Sequence, residues 1–265
     1  MTVRLVATDL DGTLVRSNGT VSDRTRRALD AAEDAGIDVV FVTGRPLRWA
    51  REVFHHVGGH GQAVISNGAL VWDVGRDRPL QVRGLAPETA VEVADRLRAA
   101  IPGSAFAVET LAGIGLEDDF LERYPVPDGS RRGALEDLLS DREPVVKILA
   151  RHEQLSPQEF WDAADELVGD LVETTWSSAG TLLEMSARGV TKASTLALLA
   201  DERGVGAEDV VAFGDMPNDL PMLEWAGTSY AMANAHPTVL AAADDVAPGN
   251  DDDGVAVVLE RILGR

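Results

Sequence analysis

Two aspartates separated by one residue open the run Asp9-Leu10-Asp11-Gly12-Thr13-Leu14. A carboxylate can attack phosphorus, and a second acid beside it can protonate the leaving oxygen and then activate water. The pair therefore has the residue types for phosphoryl transfer, and Gly12 lets the chain turn away sharply behind it. Alone, the same run describes an Asx-turn closing a strand. Thr43-Gly44-Arg45-Pro46 offers a hydroxyl and backbone N–H groups to a phosphate oxygen if a helix begins there; otherwise it is a glycine turn with an N-cap. Lys192, in Gly189-Val190-Thr191-Lys192, stands at a helix start, where a cation opposes the helix dipole and needs an anionic partner. A solvated lysine is the alternative. Gly214-Asp215-Met216-Pro217-Asn218-Asp219 gathers two acids and an amide, hard oxygen ligands suited to Mg²⁺, and Asp9 and Asp11 extend them into an acidic metal pocket. An acidic turn or helix cap would explain Asn218 and Asp219 better than it explains Asp215.

Three of these segments follow apolar runs of one kind. Val3–Thr8 leads into Asp9, Ile37–Val42 into Thr43, and Val210–Phe213 into Gly214-Asp215. Val- and Ile-rich runs bounded by Gly and polar residues read as buried strands of a parallel sheet. Helical patterns fill the gaps: one capped by Ser22 and ending near Gly36, one opened by Pro46, one running from Thr191 to near Gly204. The fold class expected is α/β, a doubly wound, Rossmann-like parallel sheet whose strand ends bring the four motifs to one edge. From about Gly84 to Ala187 the pattern changes to neighbouring strand pairs, Ala105–Glu109 with Gly113–Leu116 and Leu171–Trp176 with Thr181–Met185. Helices opened by Pro87 and by the capping box from Ser156 to Glu159 accompany them. The expected organisation is a discontinuous core, residues 1–83 and 188–265, carrying an inserted α+β domain at 84–187.

The 24 Lys and Arg against 44 Asp and Glu leave a net charge of -20, a field that repels nucleic acid and anionic membranes. An anionic substrate then needs a local counter-charge. There is no cysteine, so disulfides, thiolate nucleophiles and cysteine metal sites are excluded. No apolar run approaches the roughly 18 residues of a membrane span, and the N-terminus has no room for a secretory segment, so a cytoplasmic protein is expected.

The four motifs, in this order and spacing, resemble the haloacid dehalogenase superfamily, and most of all its Cof-like (type IIB) phosphatase branch, which carries a large cap between the second and third motifs. Ser66-Asn67-Gly68-Ala69, Leu183-Glu184-Met185 and the tail through Asn234-Ala235 and Asp253-Gly254-Val255-Ala256 share the likeness. Ala193 after the lysine and Met216-Pro217 in the acidic loop depart from the usual pattern without removing a functional group. The resemblance implies an Mg²⁺-dependent phosphatase acting on a small phosphate monoester, a sugar phosphate or similar metabolite. It makes Asp9 the nucleophile of an aspartyl-phosphate and Asp11 the general acid/base, whose backbone carbonyl also ligates the metal. Thr43 and Lys192 would hold the transferring phosphoryl group, with Leu10, Gly12, Gly44, Arg45 and Asn218 around it. Asp215 would ligate Mg²⁺ directly, with Asp219 in support. A sugar phosphomutase of the same superfamily, or a ligand-binding protein with a retired site, are the alternative functions.

Overall fold

A computed structural model describes residues 2–57, 61–123, 125–175 and 181–264. It divides into two compact units, Met1–Gln81 with Lys192–Arg265, and Val82–Thr191.

The first unit begins with β1 (Leu5–Thr8), α1 (Asp23–Asp34), β2 (Asp38–Val42), α2 (Leu47–Phe54), β3 (Gln62–Ile65), β4 (Leu70–Asp73) and β5 (Arg78–Val82). The chain then builds the second unit from α3 (Pro87–Ala100), β6 (Ala105–Thr110), β7 (Gly113–Leu116), β8 (Arg131–Arg132), α4 (Leu135–Leu138), β9 (Lys147–Arg151), α5 (Pro157–Val168), β10 (Val172–Thr175) and β11 (Leu182–Ala187). It completes the first unit with α6 (Lys192–Glu202), β12 (Val210–Gly214), α7 (Leu220–Trp225), β13 (Thr228–Met232), α8 (Pro237–Ala242), β14 (Asp245–Ala247) and α9 (Gly254–Ile262).

The large sheet has the order β14-β13-β12-β1-β2-β3-β4-β5. β1 lies parallel between β2 and β12, so the chain winds outward in one direction, returns to β1, and winds outward in the other. That reversal is the switch point at which doubly wound sheets bind ligands. The three expected strands are all present, each within a residue or two of its expected ends, and Leu5, Val6, Ala7, Val40 and Val211 are almost wholly buried. The expectation of a parallel sheet holds across six strands only, because β4 runs antiparallel to β3. The cause is local: Ser66, Asn67 and Gly68 take consecutive positive φ angles of 52°, 55° and 109°, which reverses the chain at the end of β3.

Helix ends follow the chemistry expected of them. Ser22 accepts a hydrogen bond from the Thr25 N–H and caps α1; Pro46 occupies the N-cap position of α2; Gly204, at φ 61°, lies two residues past α6. In the second unit the sheet order is β10-β11-β9-β6-β7-β8, with both expected pairs antiparallel. Trp176, expected at the end of one of those strands, lies outside the described residues. α3 and α5 pack together over one face of this sheet, around Phe106, Val108, Ile148, Phe160 and Met185. Ser156 and Glu159 form the reciprocal capping box of α5.

Candidate active site

The parallel register brings the motifs to one sheet edge. Thr8 is aligned with Phe41 on β2 and with Phe213 on β12. Asp9 is thus the first residue past β1, while Thr43 and Asp215 stand two beyond the aligned positions on its neighbours. Backbone bonds hold the strand ends there: Asp9 N–H donates to the Phe213 carbonyl at 3.0 Å and Thr43 N–H to the Val64 carbonyl at 2.8 Å. α6 starts at the same edge and contributes Lys192 as its first residue.

Lys192 is the hub of the site. Its Nζ donates to Asp9 Oδ1 at 2.6 Å and to Asp219 Oδ1 at 2.7 Å, and its side chain is only 3% exposed. These are the anionic partners that a cation at a helix start requires. Asp219, with no exposed surface, turns Oδ2 back to accept from the N–H groups of Asp215 and Met216 at 3.1 and 3.0 Å. Asp215 Oδ1 accepts from the Thr13 hydroxyl at 3.0 Å. Asp9, Asp215 and Asp219 can each present an oxygen within 4.8 Å of the others.

Three buried carboxylates therefore lie beside one ammonium, which bonds two of them. Burial pushes the Asp9 carboxyl well above its usual range; the charges of Asp219 and Asp215 push it further, and Lys192 only partly opposes them. Burial, with the charge of Asp219, pushes Asp215 up to about 6. For Lys192 burial alone would lower the pKa, but Asp219 and Asp9 outweigh it and hold the ammonium above its ordinary range. The cluster lacks positive charge, and its hard oxygen donors are those a divalent cation takes. The residues present thus fit a metal.

Asp11 is placed differently. Its side chain is 55% exposed and gripped by Arg45, whose Nε and Nη2 reach Asp11 Oδ2 and Oδ1 at 2.7 and 2.5 Å. That fork draws on the charge of Arg45, a residue the sequence reading directed at phosphate. Arg45 N–H also donates to Thr43 Oγ1 at 3.0 Å, so the Thr43 loop is tied to the acid through one residue. A Cβ at Gly12 would overlap Asp215 Oδ2, and Gly12 has a φ of 73°, so only glycine fits there. At Gly44 a Cβ would come to 2.8 Å from Asn67 Oδ1. Leu10 is fully buried and can offer only backbone atoms. Asn218 is partly exposed on the turn Pro217–Asp219, and no hydrogen bond joins its side chain to the cluster among the described residues.

Three groups have a larger part in the site than their motifs imply. Asp219 is a full member of the acidic cluster. Thr13, part of the first motif, holds Asp215. The Ser66–Gly68 turn supports the Thr43 loop through Asn67 N–H to the Thr43 carbonyl at 3.1 Å and Ser66 N–H to the Arg45 carbonyl at 3.1 Å. The run Ser-Asn-Gly after a strand was the available signal for this last support.

The family model for haloacid dehalogenase-like hydrolases matches residues 6–259, nearly the whole chain. The chain belongs to this family. The resemblance read from the motifs is borne out, and so is the α/β fold class. Among relatives of this hydrolase, the 5-amino-6-(5-phospho-D-ribitylamino)uracil phosphatase YcsE of Bacillus subtilis is 30% identical, covering 96% of this chain and 93% of that one. The pyridoxal phosphate phosphatase YbhA of Escherichia coli is 27% identical over 97% of each chain. The crystal structure of TM0651 from Thermotoga maritima superposes with a TM-score of 0.79 at 27% identity, covering 98% of the hydrolase and 97% of that chain. No described helix of the hydrolase is long and apolar enough to cross a membrane.

Proposed function

We propose that this haloacid dehalogenase-like phosphatase hydrolyses a small phosphate monoester through an aspartyl-phosphate on Asp9, with Mg²⁺ as its cation. The observation that carries the proposal is the Lys192 ammonium bridging Asp9 and Asp219 beside Asp215 at the sheet's switch point.

In this reading an Asp9 carboxylate oxygen attacks phosphorus, and the bond from phosphorus to the leaving oxygen breaks. Asp11 gives that oxygen its proton, so the leaving group departs as a neutral alcohol. Asp11, now ionised, takes a proton from the water that attacks phosphorus; the bond from phosphorus to the Asp9 oxygen breaks, phosphate departs, and Asp9 is again a carboxylate and Asp11 again protonated. Lys192 and the Thr43 hydroxyl offset the charge on the phosphoryl oxygens, and Arg45, which bonds both Asp11 oxygens, must release one of them for Asp11 to carry the proton it gives. Asp9, Asp215 and the Asp11 carbonyl would hold the metal, with Asp219 fixing Lys192 and the Asp215 loop. Bound there, Mg²⁺ would supply the positive charge that the three acids and an incoming phosphate together lack.

The fit of the substrate class rests on what the relatives are named for, a ribitylamino-uracil phosphate and pyridoxal phosphate, both small phosphorylated metabolites. A sugar phosphate or similar metabolite is the proposed class here. We assign substrate selection to the inserted domain at 84–187, because every residue given a part in the phosphate chemistry lies in the first unit.

The test is hydrolysis of p-nitrophenyl phosphate with and without Mg²⁺, beside Asp9→Asn. Turnover that needs the metal and vanishes in Asp9→Asn, with the fold intact by circular dichroism, is expected. Near-normal turnover in that variant would rule out the covalent route, and interconversion of sugar phosphates without phosphate release would move the protein to the mutases.

A further inference from the structure

The parallel sheet also delivers two asparagines to the catalytic edge, and neither has a part in the chemistry above. Asn234 follows β13 by two residues and Asn250 follows β14 by three. Asn234 Nδ2 donates to the Gly12 carbonyl at 2.7 Å, and its Oδ1 accepts from Asn250 N–H at 3.0 Å. Asn250, itself buried, donates from Nδ2 to the Val15 carbonyl at 2.9 Å. The two side-chain amides thus form a chain that ends on both flanks of the loop carrying Asp11 and Thr13.

That loop needs holding. Thr13 N–H donates to the Leu10 carbonyl at 3.3 Å, closing a four-residue turn whose third residue, Gly12, has φ 73°. This is the sign a type II turn requires there. Glycine occupies either sign of φ about equally well, so the backbone alone does not commit the turn to one form. Thr13 N–H and the Gly12 carbonyl belong to one peptide, so the Leu10 bond and the Asn234 bond grip that peptide from opposite sides and hold the loop against the strand ends. Asn250 fixes the far side of the loop, where Val15 N–H also donates to the Leu10 carbonyl at 2.8 Å.

We propose that Asn234 and Asn250 are positioning residues that tether the Asp11–Val15 loop to the segments following β13 and β14, so that the Asp11 backbone oxygen, with the Thr13 hydroxyl on Asp215, is held where the metal would bind. The inference rests on the assignment of that oxygen under the proposed function. It makes the C-terminal segment part of the catalytic machinery and gives Asn234, an exposed residue, a task unrelated to stability.

Asn234→Ala and Asn250→Ala in the full chain test it through two Mg²⁺ titrations: of the melting temperature without substrate, and of p-nitrophenyl phosphate turnover. Losing one neutral hydrogen bond that holds the loop should move both Mg²⁺ midpoints about fivefold higher. In Asn234→Ala the metal-free melting temperature should stay near that of the wild type; in Asn250→Ala it should fall as well. Unchanged midpoints in both variants, or a fall in metal-free stability with no midpoint shift, would overturn the inference. Asp9→Asn separates the two levels: if it stays inactive while the asparagine variants behave as wild type, only the positioning role fails. If it stays active, the proposed function itself has failed.

Discussion

Replacing Lys192 by methionine keeps the unbranched stem but ends one atom short, so it removes the ammonium with its charge and donors. The structure sets the size of the effect. Nζ is the shared donor of two hydrogen bonds, 2.6 Å to Asp9 and 2.7 Å to Asp219, and all three side chains are at least nine-tenths buried. Removing one partner of a buried pair costs about 3–5 kcal/mol, because the other charge is left without compensation. Proton uptake limits the loss: neutralising an ordinary carboxylate at pH 7 costs about 4 kcal/mol, and Asp9 already lies above that ordinary range. The expected loss in the metal-free protein is therefore about 3–5 kcal/mol, a fall of roughly 10 °C for a chain of this size. With Mg²⁺ present the fall should shrink, since the cation supplies charge to the same carboxylates. Turnover of p-nitrophenyl phosphate should drop by about 10²–10³, the scale of losing one donor to a developing oxyanion. Differential scanning fluorimetry in EDTA and in Mg²⁺, with steady-state kinetics, measures all three. An unchanged melting temperature in EDTA would refute the charge balance drawn for the cluster. A large fall with normal turnover would detach the lysine from catalysis.

Two further substitutions probe the loop and its mounting. Gly12→Ala should cost about 1–2 kcal/mol from the left-handed backbone alone, and its Cβ should also displace Asp215, so the rise in melting temperature on adding Mg²⁺ should shrink; a full-sized rise would show that Asp215 can move aside harmlessly. Burial alone would raise the Asp253 carboxyl, but hydrogen bonds from Arg16, Ser22 and Thr25 hold it below the usual carboxylate range. A carboxyl whose pKa is lower folded than unfolded stabilises the protein above its unfolded value, near about 4, and that contribution is lost as pH falls through the folded value. Asp253→Asn should therefore be less stable than the wild type at pH 7, with the gap in urea midpoints closing at pH 3; a gap constant with pH would contradict the pairing.

How much of this was legible before the structure follows from length scale. β1, β2 and β12 could be read because each is a Val-rich run ending in a polar motif, and a parallel register then forces the motif residues together. β3, β4 and β5 did not stand out, since Gln62–Ile65 and Leu70–Asp73 are runs of four residues each, too short to show a strand period, and the Ser66–Gly68 turn marks a break without telling which way the chain leaves it. β9 was hidden for another reason: Lys147 and Arg151 are buried charges at its two ends, Lys147 paired with Glu184 at 2.6 Å, so the run resembles a surface segment. At the site, residue types predicted the acids and the lysine, but pairing partners could not be read. That Arg45 grips Asp11, and that Asp219 is sealed beneath Lys192, depends on how loops far apart in the chain converge.

The distance along the chain between the paired groups has its own consequence. Asp9 and Lys192 are separated by 183 positions, and β1 has β12 as its neighbour on one side. During synthesis the first segment emerges with its central strand unpaired along that side, the kind of open edge that recruits foreign strands. Its acids also lack their cation until α6 and β12 have left the ribosome. The intervening domain, whose hydrophobic core comes from its own residues, can fold in that interval. Catalytic competence is thus timed by the last third of translation, and an incomplete chain would be both inert and prone to aggregation.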